Sequence, residues 1–299
     1  MNIYKQEMKM SYGSIITWSI ALILIIFLMV SIYSSFAEDA IAITDMLDAF
    51  PKELLMAFGM ENLDFGSALG SYSFVLVFCQ ICLAIQASNY GFGLVSVEER
   101  ELTADFLLAK PITRPKIMTS KLLAALTGMA VANIVVWVSS IIALNIFWVD
   151  ADYDTNVLLM LLISLAVFQL FFLSVGLVVS LMVRRVRNVT PFSMALVFGL
   201  YILNAFGGML GEESIELISP FKHFDPNYII QNVGYDPLVF VSIAITVVSL
   251  IGSYLLYARR NIPAPFIDLI VRATDRLENR FASVEEMQAA LERARHASP

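Results

Sequence analysis

Apolar residues in this chain fall in long unbroken blocks rather than at alternating or amphipathic spacing. Uncharged stretches cover 10–37, 65–97, 122–149, 155–183, 188–211 and 237–258. Each exceeds the roughly 20 residues that a helix needs to cross a ~30 Å hydrocarbon layer. The pattern predicts six membrane-spanning helices, near 15–33, 71–95, 122–148, 157–183, 190–210 and 237–257. The fold class is therefore an all-α membrane protein, with residues 1–262 as a six-span transmembrane domain. Ser35-Phe36-Ala37 loosely resembles a signal-peptide cleavage site. The apolar run from Ile15 to Tyr33 is longer than a signal core, so the first span is expected to stay.

Between the spans the chain changes character. Residues 1–14 mix Ile3, Tyr4, Met8 and Met10 with Lys5, Glu7 and Lys9, as a short interfacial helix would. Segment 37–69 is acidic, and Pro51 suits the start of a short helix. Asp150, Asp152 and Asp154 lack the glycine and distal glutamate of a calcium loop and read as a solvated turn. Beyond Pro263 the chain becomes polar and helix-forming, and Ser283-Val284-Glu285-Glu286 reads as a capping box. Residues 263–299 are expected to form a short helical cytoplasmic tail.

Composition agrees with the pattern: 59% of residues are hydrophobic and only 15% charged, against roughly a quarter charged in soluble domains. The net charge of −7 conceals a segregation of signs. With both termini cytoplasmic, 17 of the 19 basic residues lie inside, leaving Lys52 and Lys222, and 15 of the 26 acidic residues lie outside. The positive-inside rule selects this orientation. Basic residues are thus spread for topology, and no nucleic-acid partner is expected.

Enzyme readings find little material. The chain has no Gly-x-x-x-x-Gly-Lys-Ser/Thr loop, no Gly-x-Ser-x-Gly elbow, no His-Glu-x-x-His helix, and only His223 and His296. Cys79 and Cys82 form a Cys-x-x-Cys within the second span, where they read as small buried hydrophobes rather than metal ligands. The predicted spans contain no ionisable side chain of the Asp, Glu, Lys, Arg or His type. That weighs against an ion-coupled carrier, which places such groups in its spans. Gln80, Gln86, Asn89, Asn133, Asn145, Gln169 and Asn204 are the intramembrane polar residues, and each is expected to bond a neighbouring helix.

The segment between spans 2 and 3 carries the most information. Residues 98–109 favour helix, with Glu98, Glu99 and Glu101 at its start and Lys110 at its end, matching the helix dipole. Leu102, Phe106 and Ala109 share one face, while Glu99 and Thr103 lie on another. Pro111 stops the helix and Pro115 suits the first turn of the next. A lipid-surface role fits poorly, because anionic lipids repel an acidic face.

The run Glu98-Glu99-Arg100, Asp105-Phe106-Leu107-Leu108-Ala109-Lys110-Pro111-Ile112-Thr113-Arg114, with Lys116-Ile117 and Ser120-Lys121, resembles permease subunits of type-2 ATP-binding-cassette (ABC) exporters. Ser219-Pro220-Phe221-Lys222-His223-Phe224-Asp225-Pro226 is a second similarity. The resemblance implies a coupling helix that docks on a separate ATPase subunit. Its contacts would be Glu98, Glu99, Arg100, Glu101, Leu102, Thr103, Asp105, Phe106, Leu107, Leu108, Lys110, Pro111, Thr113 and Arg114. It also implies a second permease copy or paralogue, residence in a bacterial plasma membrane, and short helices that re-enter the outer leaflet from 211–236. ATP and Mg would be bound by the ATPase, with no cofactor in this chain. The 263–299 tail departs from the family pattern. A non-transporting scaffold, sensor or immunity protein is the rival reading, and a neighbouring gene for a Walker-motif ATPase would separate the two.

Overall fold

A computed structural model describes residues 3–37, 49–51, 55, 64–101, 113–148, 153–183, 188–210 and 217–259. Among these all regular structure is helical. The helices are α1 (Ile3–Ala37), α2 (Ala68–Glu101), α3 (Arg114–Phe147), α4 (Thr155–Met182), α5 (Val189–Leu210), α6 (Pro220–His223), α7 (Pro226–Asn232) and α8 (Val239–Arg259). Six of them, α1 to α5 and α8, are long and apolar enough to cross a membrane. The chain divides into two compact units, Met1–Val97 with Thr113–Arg259, and Glu98–Ile112 with Arg260–Pro299. Of the second, the described part is the helical backbone of 98–101.

The six predicted spans correspond to six helices, but three of the helices are longer than the lipid requires. α1 begins at Ile3 rather than at Ile15, so residues 3–14 continue the span instead of forming a separate interfacial helix. Two contacts hold these first turns on α3. Tyr4 Oη lies 3.1 Å from Thr127 Oγ1, and the Glu7 carboxylate lies 3.4 Å from Lys121 Nζ. α2 runs six residues past the predicted end, and α3 starts eight residues early. Polar flanks extend a helix cheaply once it leaves the lipid, because every new residue adds a backbone bond. The expected helix after Pro51 lies largely outside the described residues, as do the 263–299 tail, Arg184, Arg185 and Arg187. Asp154 caps α4, its Oδ1 accepting from Asn156 N at 2.8 Å.

Burial ranks the spans. The apolar window of α2 is 78% buried and that of α4 is 67%, against 22% for α1, 17% for α5 and 22% for α8. So α2 and α4 are central, while α1 packs along α3 and α8 along α4 at the periphery. The core runs from Leu22, Ile26 and Val30 of α1 through Tyr72, Val75, Leu76 and Leu83 of α2 to Leu161, Leu162 and Leu165 of α4. Cys79 is buried and Cys82 half-buried, both as free thiols, in keeping with a packing role.

At Gly91 the α2 and α4 backbones meet. A Cβ there would stand 2.4 Å from Leu173 O and 2.9 Å from Leu177 N, both backbone atoms that have no rotamer to escape into. Nearby, Ser180 Oγ donates to Phe92 O at 3.1 Å, tying the same pair. Gly91→Ala is expected to force the helices apart and cost about 1–3 kcal/mol. Gly199→Ala on α5, where a Cβ meets nothing within 4 Å, is expected to be neutral or slightly stabilising. Thermal unfolding of both variants in detergent micelles checks the pair.

Candidate functional site

The candidate contact segment begins where α2 ends. Glu98, Glu99, Arg100 and Glu101 are the last helical residues of α2, so they prolong the span rather than open a new helix. Thr113 has extended backbone (φ −70°, ψ 143°), and Arg114 is the first residue of α3, with Pro115 in the first turn as expected. Leu102, Thr103, Asp105, Phe106, Leu107, Leu108, Lys110 and Pro111 lie outside the described residues.

The base of this α2–α3 hairpin is fastened on two sides. On one, Lys121 is 3% exposed, and its Nζ donates to Leu94 O at 2.7 Å and pairs with Glu7. One ammonium group thus joins α1, α2 and α3. On the other, Arg114 Nη1 reaches Tyr257 O at 3.5 Å, and Thr119 Oγ1 lies 3.0 Å from Tyr254 Oη on α8. The sequence puts Lys121 on the cytoplasmic side, one residue before the third span, with no sign that it is buried. The missed signal is its register. Ile117, Lys121, Ala124 and Gly128 follow at helical spacing, and all four are buried. A cation on a stripe of small buried residues is an internal group.

Deeper in the spans, Gln86, Asn133 and Gln169 bond neighbouring helices, and Gln80 bonds the Phe224 carbonyl. Among the described residues, Asn89, Asn145 and Asn204 make no bond to another helix, and Oδ1 of Asn89 and of Asn204 is buried without a partner. Gln169 of α4 donates from Nε2 to Gln86 Oε1 of α2 at 3.3 Å and accepts at Oε1 from Asn133 Nδ2 of α3. Tyr72 Oη donates to Ser140 Oγ, which donates in turn to Val136 O. These bonds join three helices where lipid supplies no partner. Asn145 departs from expectation, because its Nδ2 donates to Ile141 O of its own helix at 2.7 Å.

At the other end of the spans, residues 217–236 fold back among the helices. Phe221 packs against Phe168, Phe172 and Tyr201 with ring centroids 5.2, 5.8 and 5.3 Å apart. Gln80 Nε2 donates to Phe224 O at 2.7 Å, and Ser219 Oγ to Leu200 O at 3.0 Å. His223, within the second similarity, is 1% exposed with Nδ1 2.6 Å from Ser242 Oγ of α8. Asp225 caps α7 by accepting from Asn227 N at 2.9 Å. Burial pushes its carboxyl above the usual carboxylate range, against the opposing pull of that cap bond. Together α6 and α7 plug the bundle with aromatic rings.

Among the described residues, no three His, Cys, Asp or Glu side chains are grouped to hold a metal ion. Among the described residues the arrangement is a helical frame in which most intramembrane amides are spent on joining its elements. A model of the family described as ABC-2 family transporter protein matches residues 1–262. No curated protein and no solved structure matches the chain.

Proposed function

The chain belongs to the ABC-2 transporter family, and from that premise we propose that it is the permease half of an exporter driven by a separate ATPase. The observation that carries this reading is the family match over 1–262, which takes in all six spans. Two permease halves, identical or related, enclose the path, and two ATPase subunits bind beneath them. The α2–α3 hairpin then meets the ATPase through Glu98 to Arg114, with the Leu102 and Phe106 face seated in its groove. Closure of the ATPase pair on ATP is transmitted as a rigid-body change between the membrane halves. ATP and Mg belong to the partner, and this chain performs no covalent chemistry. Clamps at Lys121 and Arg114 support the reading, since a lever must be stiff at its root.

Both termini are cytoplasmic in this assignment, the membrane is a bacterial plasma membrane, and residues 263–299 form a cytoplasmic tail. The segment 217–236 then faces the outer leaflet. Orientation is checked by cysteine labelling in a background where Cys79 and Cys82 are alanine. Asp154→Cys and Gln231→Cys, at exposed positions, are expected to react with an impermeant maleimide on intact cells. Asn188→Cys, exposed at the opposite end of α4, is expected to react only after the cells are opened. The reverse pattern would invert the assignment. Pull-down of the tagged chain from native membranes identifies the ATPase and any second permease. Recovery of the chain without an ATPase would favour a scaffold instead.

A further inference from the structure

Among the described residues, Val233 is the one non-glycine whose backbone takes a positive φ, at φ 46° and ψ 42°. This is the left-handed region, where Cβ crowds the backbone and a β-branched side chain fits worst. Nothing about the side chain explains its place there. Val233 is 59% exposed, so its isopropyl group gains little from burial. The next residue is a glycine whose freedom goes unused. Gly234 lies outside the left-handed region, and a Cβ added there would meet only Asn232 O, at an ordinary 3.6 Å. The residue suited to the turn stands one position beyond it.

Both sides of this joint are held. α7 is anchored by Ile229, which is 1% exposed, and its last turn is closed by Asn232 Nδ2, which donates to Tyr228 O at 3.0 Å. On the far side, Tyr235 Oη donates to Met160 O of α4 at 3.0 Å. Asp236 Oδ1 accepts from Leu238 N at 2.8 Å at the entry to α8. Backbone strain persists only where the surroundings impose it. Here the anchors fix the span of the link, and the misfit falls on Val233.

We propose that the joint between α7 and α8 is a one-residue switch with two registers. In the first, α7 ends at Asn232, Val233 is strained and Tyr235 holds α4. In the second, α7 is one residue longer, Val233 is helical, and Gly234 takes the left-handed position in which helices so often end. Val233 N–H then bonds Ile229 O, as each further helical residue bonds four back. The added residue turns the outgoing chain by about 100° around the helix axis, which draws Tyr235 off Met160 O. One register keeps the tyrosine bond and the strain, while the other gives up both. A net hydrogen bond and a left-handed β-branched residue are of similar size, so the two registers lie close in free energy. Tyr235 thereby carries the state of the joint to the central helix α4. The switch belongs to the chain whether or not it is a transporter.

Fluorine resonances report on the tyrosine directly. The full chain is labelled with 3-fluorotyrosine in phosphatidylcholine nanodiscs, and the Tyr235 signal is identified by its loss in Tyr235→Phe. Two Tyr235 resonances are expected, one for the bonded ring and one for the released ring. Gly234→Ala fits the first register, where its Cβ meets only Asn232 O, and strains the second. Val233→Asn relaxes the first, since Asn tolerates left-handed backbone. Each is expected to shrink the released resonance about tenfold, as a bias of ~1.4 kcal/mol gives. Val233→Asn is also expected to raise the midpoint of thermal unfolding. A single Tyr235 resonance at one position in all three proteins would overturn the proposal, as would a released fraction that Gly234→Ala leaves unchanged. A lower midpoint in Val233→Asn would mean that the left-handed backbone carries no strain, and would overturn it as well.

Discussion

Phe106→Asp is expected to abolish transport and release the ATPase while leaving the chain inserted in the membrane. The sequence spacing predicts one apolar face for Leu102, Phe106 and Ala109, with Glu99 and Thr103 on another. Truncating an aromatic at the centre of an interface costs about 2–4 kcal/mol. At about 1.4 kcal/mol per decade, that weakens association by roughly 30-fold or more, and a buried carboxylate adds its desolvation cost. Glu99→Ala, on another face, is expected to change little. Co-purification of the ATPase and transport in vesicles are measured for both variants. Full coupling in Phe106→Asp would remove the ground for placing the contact on this face.

Lys121→Met is expected to be among the most destabilising single changes in the spans. The ammonium is 3% exposed and holds Leu94 O and Glu7 together. Its loss leaves a carbonyl and a carboxylate facing an apolar side chain. Removing one partner of a buried pair costs about 3–5 kcal/mol. Glu7 keeps 26% of its side-chain surface, so the lower end of about 3 kcal/mol applies. Glu7→Gln, which preserves a polar neighbour, is expected to cost about 1 kcal/mol. The double variant is expected to lose less than the sum, because the stranded carboxylate is gone. Thermal unfolding in detergent, followed by reaction of the buried Cys79 thiol, measures all three. A loss below about 1 kcal/mol for Lys121→Met would show that water reaches the pair and that the clamp is weak.

What could be read from the sequence follows from how lipid acts on a chain. A spanning helix must be apolar over its whole length, so the six spans stand out as uncharged blocks and their number needed no structure. Their ends are less legible, because outside the hydrocarbon nothing in the composition stops a helix. That is why α1 absorbs residues 3–14 and α2 extends through Glu101. Partnerships were legible only as types. Gln86, Asn133 and Gln169 were expected to bond across helices, but which helices meet depends on packing among spans that are all apolar. The burial of Lys121 was missed for a related reason: block counting registers only a cation at a span edge, whereas its stripe with Ala124 and Gly128 is buried in α3. The contact segment remains a reading of sequence, since most of it lies outside the described residues.

The central position of α2 bears on how the chain is made. α2 carries Gln80 and Gln86, whose partners Phe224 and Gln169 come 144 and 83 residues later. At ~5–20 residues per second of synthesis, Gln86 leaves the ribosome about 4–17 s before Gln169, and Gln80 about 7–30 s before Phe224. Meanwhile these amides would face acyl chains alone. The second helix to be synthesised therefore enters the bilayer with two amides whose partners are not yet made. It has reason to linger at the insertion machinery, shielded there, until α3 and α4 emerge to receive it. The first helix has no such constraint: its window is the most apolar of the six, with a hydropathy of 2.8, and it can be released to lipid at once and return to α3 by lateral diffusion.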